Sequence, residues 1–113
     1  MKVEHNIDAV MKQMRAEAQK AVEMAERELQ LAALEIEREA KLRAPVDTGM
    51  LRGSITSTGG GSEYEIGTNV EYAPFIEYGT SKMSAQPFLS PAFELVVKEL
   101  PIKIEKAVKS VFN

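Results

Sequence analysis

The one tripeptide in this chain with a well-known catalytic counterpart is Asp47-Thr48-Gly49. Aspartic proteases carry Asp-Thr-Gly at their catalytic turn, and the small viral ones are dimers of chains of similar length. That chemistry needs two carboxylates sharing one proton, one from each lobe or subunit, held at the end of a strand in an all-β fold. Here the tripeptide follows a long helical pattern and Pro45, and Met50-Leu51-Arg52 comes next. Nothing in the remainder resembles a strand-rich fold, so a dimeric aspartic protease is a remote alternative. The structural alternative is that the Asp47 or Thr48 side chain accepts backbone N–H bonds and holds a turn.

No other group of residues offers a reaction. His5 is the only histidine and lies at the start of the chain, where it reads as a surface residue. The chain has no cysteine, which removes disulfides, cysteine zinc sites and thiol catalysis. Carboxylate pairs such as Glu35 and Glu39 are what a solvated helix face produces. Gly59-Gly60-Gly61 lacks the lysine and the strand–helix context of a phosphate loop. The sequence therefore reads as that of a non-enzyme, with no catalytic, cofactor-binding or metal-binding residues expected.

Charge and hydropathy narrow the partners. The net charge is −3, and between Ala44 and Phe93 five acidic residues (Asp47, Glu63, Glu65, Glu71 and Glu77) face only Arg52 and Lys82. Proteins that grip phosphates show a basic balance or a basic face, so direct nucleic-acid binding is disfavoured. No stretch approaches the ~20 apolar residues that span a bilayer, and no apolar run follows Met1-Lys2-Val3-Glu4-His5 as it would in a signal peptide. The expected setting is the cytoplasm, with no membrane partner.

A chain of 113 residues with 44% hydrophobic and 27% charged side chains fits one globular domain. From Val3 to Arg43 an apolar stripe runs through Ile7, Met11, Met14, Ala18, Val22, Ala25, Leu29, Ala32, Ile36 and Ala40 at spacings of three and four, uninterrupted by Gly or Pro. That is one continuous helix, ended at Ala44-Pro45 because the residue before a proline is pushed from the helical region. At ~1.5 Å per residue it would run about 60 Å, against roughly 35 Å for the diameter of a compact chain of this size. A helix projecting from the core is favoured over one bent back on itself. Pro45–Gly53 is expected to turn, Ser54–Thr58 to form a short strand, and Gly59–Gly61 to form a hairpin tip. From Tyr64 to Tyr72 the alternation of Tyr64, Ile66, Val70 and Tyr72 with Glu63, Glu65, Asn69 and Glu71 predicts a half-buried strand. Residues 73–89 read as an ordered loop with a short helical turn, its apolar side chains packing on the sheet or on a neighbour. Ser90 is expected to cap a last helix with Pro91 at its first position. Phe93, Val97, Leu100, Ile104, Ala107 and Val111 form its apolar stripe, which Pro101 kinks without breaking phase. The fold class is α+β: a long N-terminal helix (residues 1–44), a β/loop core (45–89) with a small antiparallel sheet or hairpin, and a kinked C-terminal helix (90–113) packed on the sheet.

The order of short motifs is specific where each piece alone is weak. Ala44-Pro45-Val46-Asp47-Thr48-Gly49-Met50-Leu51-Arg52-Gly53-Ser54-Ile55 follows the long helix directly. Ile66-Gly67-Thr68, Val70-Glu71-Tyr72-Ala73, Ile76-Glu77-Tyr78-Gly79-Thr80, Gln86-Pro87-Phe88-Leu89 and Pro91-Ala92 come after it in that order. From the end of the first helix to the start of the last, this arrangement resembles a family of small tail components of tailed bacteriophages and prophages, encoded among the head–tail joining proteins. The resemblance implies a non-catalytic tail-completion, neck or minor tail protein. It implies assembly in the bacterial host cytoplasm and residence in the virion at the neck or tail. It also implies a ring of six copies, and contacts with the tail terminator, tail tube or neck proteins.

The residues carrying the resemblance are Pro45, Asp47, Thr48, Gly49, Leu51, Arg52, Tyr72, Ala73, Glu77, Gly79, Thr80, Pro87 and Phe88. Physically, Pro45 stops the helix and Asp47-Thr48-Gly49 turns the chain. Leu51 and Ile55 anchor to the core, Gly79 takes a positive φ, and Phe88 docks the loop; Arg52 and Glu77 could pair across it. Tyr78 and Met83 are the candidates for presentation to a partner, because strand alternation does not commit them to the core. Leu29 and Ile36 are the candidates for self-association along the long helix. The alternative to a phage role is a helical adaptor or coiled-coil scaffold using that helix.

Overall fold

A computed structural model of the chain describes residues 3–46 and 49–112. Its frame is helix α1, Val3–Arg43, whose 41 residues run without interruption. The helix ends where Pro45 demands: the Ala44 amide still donates to the Ala40 carbonyl at 3.0 Å, and Pro45 has no amide to continue the series. Ion pairs one turn apart, Lys41 with Glu37 and Arg43 with Glu39, decorate its last turns. The molecule measures 80 × 21 × 20 Å, with a radius of gyration of 20.7 Å, well above the ~13 Å of a compact chain of about 100 residues. The helix therefore projects.

After α1 come the short helix α2 (Met50–Ser54), strands β1 (Thr56–Gly60) and β2 (Glu63–Gly67), and helix α3 (Ala73–Tyr78). Helices α4 (Leu89–Val97) and α5 (Leu100–Phe112) complete the chain. The two strands form an antiparallel hairpin in the register Thr56↔Gly67 to Gly60↔Glu63, closed by a two-residue turn at Gly61-Ser62. The three-glycine tip thus lies mostly inside the ladder. Gly59 sits opposite Tyr64 with φ +129°, and a Cβ there would lie 2.3 Å from the Glu63 carbonyl oxygen, so only glycine fits.

Both strands are displaced from expectation. Ser54 belongs to α2, where its hydroxyl donates to the Leu51 carbonyl at 2.7 Å, and β1 begins two residues later than residue 54. The second strand stops at Gly67, not Tyr72, because the five-residue β1 has run out of partners. Beyond it the Thr68 hydroxyl bonds with Ser54 Oγ and accepts the Val70 amide at 3.1 Å. A local side-chain bond of this kind offers the backbone an alternative to the ladder.

The C-terminal helix is kinked as its proline requires. Lys98 and Glu99 form a turn between α4 and α5, with Glu99 N bonded to Val96 O at 3.2 Å and Lys103 N to Glu99 O at 3.2 Å. On α4 the buried residues are Ala92 and Val96, and Phe93 is 51% exposed, contrary to the single stripe expected. Both segments pack chiefly along α1, while α4 faces β2 across a groove lined by Tyr64, Ile66, Leu89 and Phe93. α5 runs back along α1, with Lys103 near Glu35 and Ala107 sharing a groove with Met24 and Glu28.

The core sits where all these elements meet the C-terminal half of α1. Ala32, Ile36, Ala40 and Ala44 from α1 and its end close on Leu51, Ile55, Ala73, Phe88, Ala92 and Val96, with Ile55 and Phe88 the largest fully buried side chains. Alanines on α1 let the other helices approach closely, and Phe88 fills the space they leave. Ile36 is 3% exposed, so it is a core residue and not the self-association residue expected; Leu29 is half-buried.

Candidate interaction surface

The family-like residues build a frame before they build a surface. Asp47 and Thr48 lie outside the described residues, but Gly49 beside them takes φ +73° and opens α2, accepting the Gly53 amide at 2.9 Å. Leu51 and Ile55 are buried. Arg52 points back at the end of α1, with an Nη2 donating to the Ala44 carbonyl at 3.5 Å, while its Nε is buried without a partner. It makes no ion pair with Glu77, whose carboxylate is otherwise engaged.

Glu77 is the buried charged residue of the frame, 8% exposed. Its Oε1 accepts the amides of Leu89 at 2.8 Å and Phe88 at 3.3 Å, and its Oε2 accepts that of Ser90 at 3.4 Å. These are the donors that a helix start leaves unsatisfied. The carboxylate also places negative charge at the positive end of the helix. Ser90, expected to cap this helix, lies within α4, and Phe88 occupies the cap position with no side-chain cap of its own. Burial works against the charged form, but the amides of Leu89, Phe88 and Ser90 and the Ser90 hydroxyl outweigh it and hold the Glu77 carboxyl below the ordinary carboxylate range.

Between Glu77 and Phe88 the chain makes a compact excursion. Gly79 ends α3 with its amide on the Phe75 carbonyl at 2.9 Å. Thr80 and Met83 exchange two backbone bonds, and the Gln86 amide ties the segment to the Ile76 carbonyl at 2.8 Å. Gly79 has φ +77°, and a Cβ on it would lie 2.7 Å from the Ala85 nitrogen and 2.9 Å from the Met83 carbonyl oxygen. Gly79→Ala should therefore cost about 2 kcal/mol through a strained φ and a backbone clash. A melting curve checks this, and an unchanged midpoint would show that the excursion gives way freely.

What the frame presents is aromatic. On α3, Ala73 and Glu77 face inward, while Phe75 (56% exposed) and Tyr78 (77%) share the outer face at a spacing of three. Tyr72 and Met83 are partly exposed at the edges of the segment, and Pro87 and Thr80 are exposed. Tyr78 and Met83 are thus on the surface as expected. Phe75 and Phe93 are also exposed, and neither is among the partner-facing residues that the sequence singles out. Among the described residues no three His, Cys, Asp or Glu side chains gather as a metal site, and no helix is long and apolar enough to cross a membrane. The elements that precede and follow the Asp-Thr-Gly segment in the chain are both helices, α1 and α2.

A long projecting helix, a hairpin and a short helix with an exposed aromatic face define an α+β protein. Residues 8–79, well over half of the chain, match the family described as "Bacteriophage HK97-gp10, putative tail-component". The chain belongs to that family of phage tail components, which replaces the reading of a helical adaptor unrelated to phage. No curated protein and no solved structure gives a significant match.

Proposed function

We propose that the chain is a non-catalytic virion protein of the head–tail junction, a tail-completion or neck component that assembles in the host cytoplasm and works as a ring of six copies. Membership of the tail-component family carries this reading. The shape supports it: an 80 Å molecule whose projecting helix carries exposed Ile7, Met11 and Met14 needs neighbouring subunits to cover that face. The partners fitting the reading are the tail terminator, the tail tube or a neck protein, met by the outer face of α3 and by Met83. Aromatic and methionine side chains are favoured anchors at such contacts.

Immunogold electron microscopy of purified virions tests the location. Label at the head–tail junction is the expected result, and label confined to the capsid or to the distal tail tip would overturn it. The surface has its own test. Tyr78→Ala and Met83→Ala remove exposed side chains and should shift stability by no more than about 0.5 kcal/mol, yet the phage carrying either should yield few joined virions. Full titre from both variants would move the contact elsewhere.

A further inference from the structure

The exposed part of the α1 stripe has a geometry of its own. From Ala25 to Ala40 the stripe is buried or half-buried against the core and α5, while Val22 at its edge is 51% exposed. In the same phase it continues towards the N-terminus through Ala18, Met14, Met11 and Ile7, where no described residue covers it: Met14 is 58%, Met11 45% and Ile7 54% exposed. The flanks of this segment differ. On one flank stand Asp8 and Arg15, two helical turns apart; on the other stand Val10 and Glu17. All but the half-buried Glu17 are exposed, and neither Asp8 nor Arg15 has an ion-pair partner among the described residues.

We infer that the free protein is a two-fold dimer in which the N-terminal halves of α1 pack antiparallel, with the axis between Met11 and Met14. In this arrangement Met11 of each chain lies on Met14 of the other, and Ile7 lies on Ala18. An antiparallel pair sets like flanks against each other, so Asp8 faces the partner's Arg15, and by symmetry the pair forms twice. A parallel pair sets unlike flanks together, placing Arg15 beside Val10 and leaving Asp8 unmatched. The occupant that fits the stripe and the charges together is a second copy of this chain. A cyclic ring relates its neighbours without a two-fold axis between them, so this dimer would have to open when a ring forms, keeping the apolar stripe covered until then. The inference concerns the free protein and stands apart from the tail role.

Sedimentation equilibrium of the full chain at low salt tests it through charge reversal. The unmodified chain should sediment as a dimer. Asp8→Arg and Arg15→Asp should each raise the dissociation constant roughly 10-fold, since two pairs are lost per dimer. The double variant Asp8→Arg/Arg15→Asp should return to the original value. Both positions lie outside the core, so the circular dichroism of all three variants should match the parent. Single reversals without effect, a double variant no tighter than the singles, a monomer at tens of micromolar, or a cyclic hexamer in free solution would each overturn the antiparallel dimer.

Discussion

Ile36→Asp should unfold the protein, whereas Met14→Asp, on the same helical stripe, should leave the single chain folded. Ile36 is 3% exposed and packs in one cluster with Ala40, Ile55, Phe88 and Val96. A carboxylate there removes a buried aliphatic side chain and buries a charge with no partner, at a cost of roughly 5 kcal/mol or more. A domain of this size holds about 5–15 kcal/mol in all. Met14 is 58% exposed, and a charge at that position costs the isolated fold little. Circular dichroism melting of the two variants separates the covered part of the stripe from the uncovered part. Equal loss of structure in both would mean that the N-terminal half of α1 is packed within the monomer after all.

Glu77→Ala should be the most damaging change among the polar residues, at about 3 kcal/mol, with Glu77→Gln intermediate. Alanine leaves the amides of Phe88, Leu89 and Ser90 without their acceptor at a partly buried helix start. Glutamine keeps one acceptor oxygen but loses the charge. The sign of the pH dependence follows from the lowered carboxyl. Because the folded-state value lies below the ordinary value of 4.5, the unfolded chain takes up its proton first. The contribution is fully present above 4.5 and is lost as the pH falls through the folded value beneath it. Stability of the parent should drop on that acid limb more steeply than stability of Glu77→Gln. Parallel acid limbs would show that the charge of Glu77 adds nothing to the bonds it makes.

The long helix was legible because its stripe repeats over ten positions without Gly or Pro, and its projection followed from length alone. The family order of motifs was legible because it is linear. The features that went astray depend on partners distant in sequence. A serine before a proline is a good local cap, yet α4 is capped by Glu77 from at least eleven residues upstream, and no local rule sees that. Charge alone suggested Arg52 for Glu77, but a carboxylate already holding three amides has little left to offer a guanidinium. The alternation to Tyr72 was real, but a strand is only as long as its neighbour, and β1 ends the ladder at Gly67. The stripe drawn through Phe93 puts it inward, but the buried face of α4 runs through Ala92 and Val96, one position earlier, and leaves Phe93 at its edge. The surface was legible in part: Tyr78 stood out as an uncommitted aromatic, whereas the short helical turn expected at Phe75–Tyr78 does not by itself say that its outer face carries Phe75 beside Tyr78.

The central claim, that this chain completes the junction between head and tail, is tested most directly by deleting its gene from the phage and examining the lysate by electron microscopy. DNA-filled heads and unattached tails lying side by side, or tails defective at their head-proximal end, with normal virions restored by the gene supplied in trans, are the predicted result. Normal virions at normal titre from the deletion would contradict it.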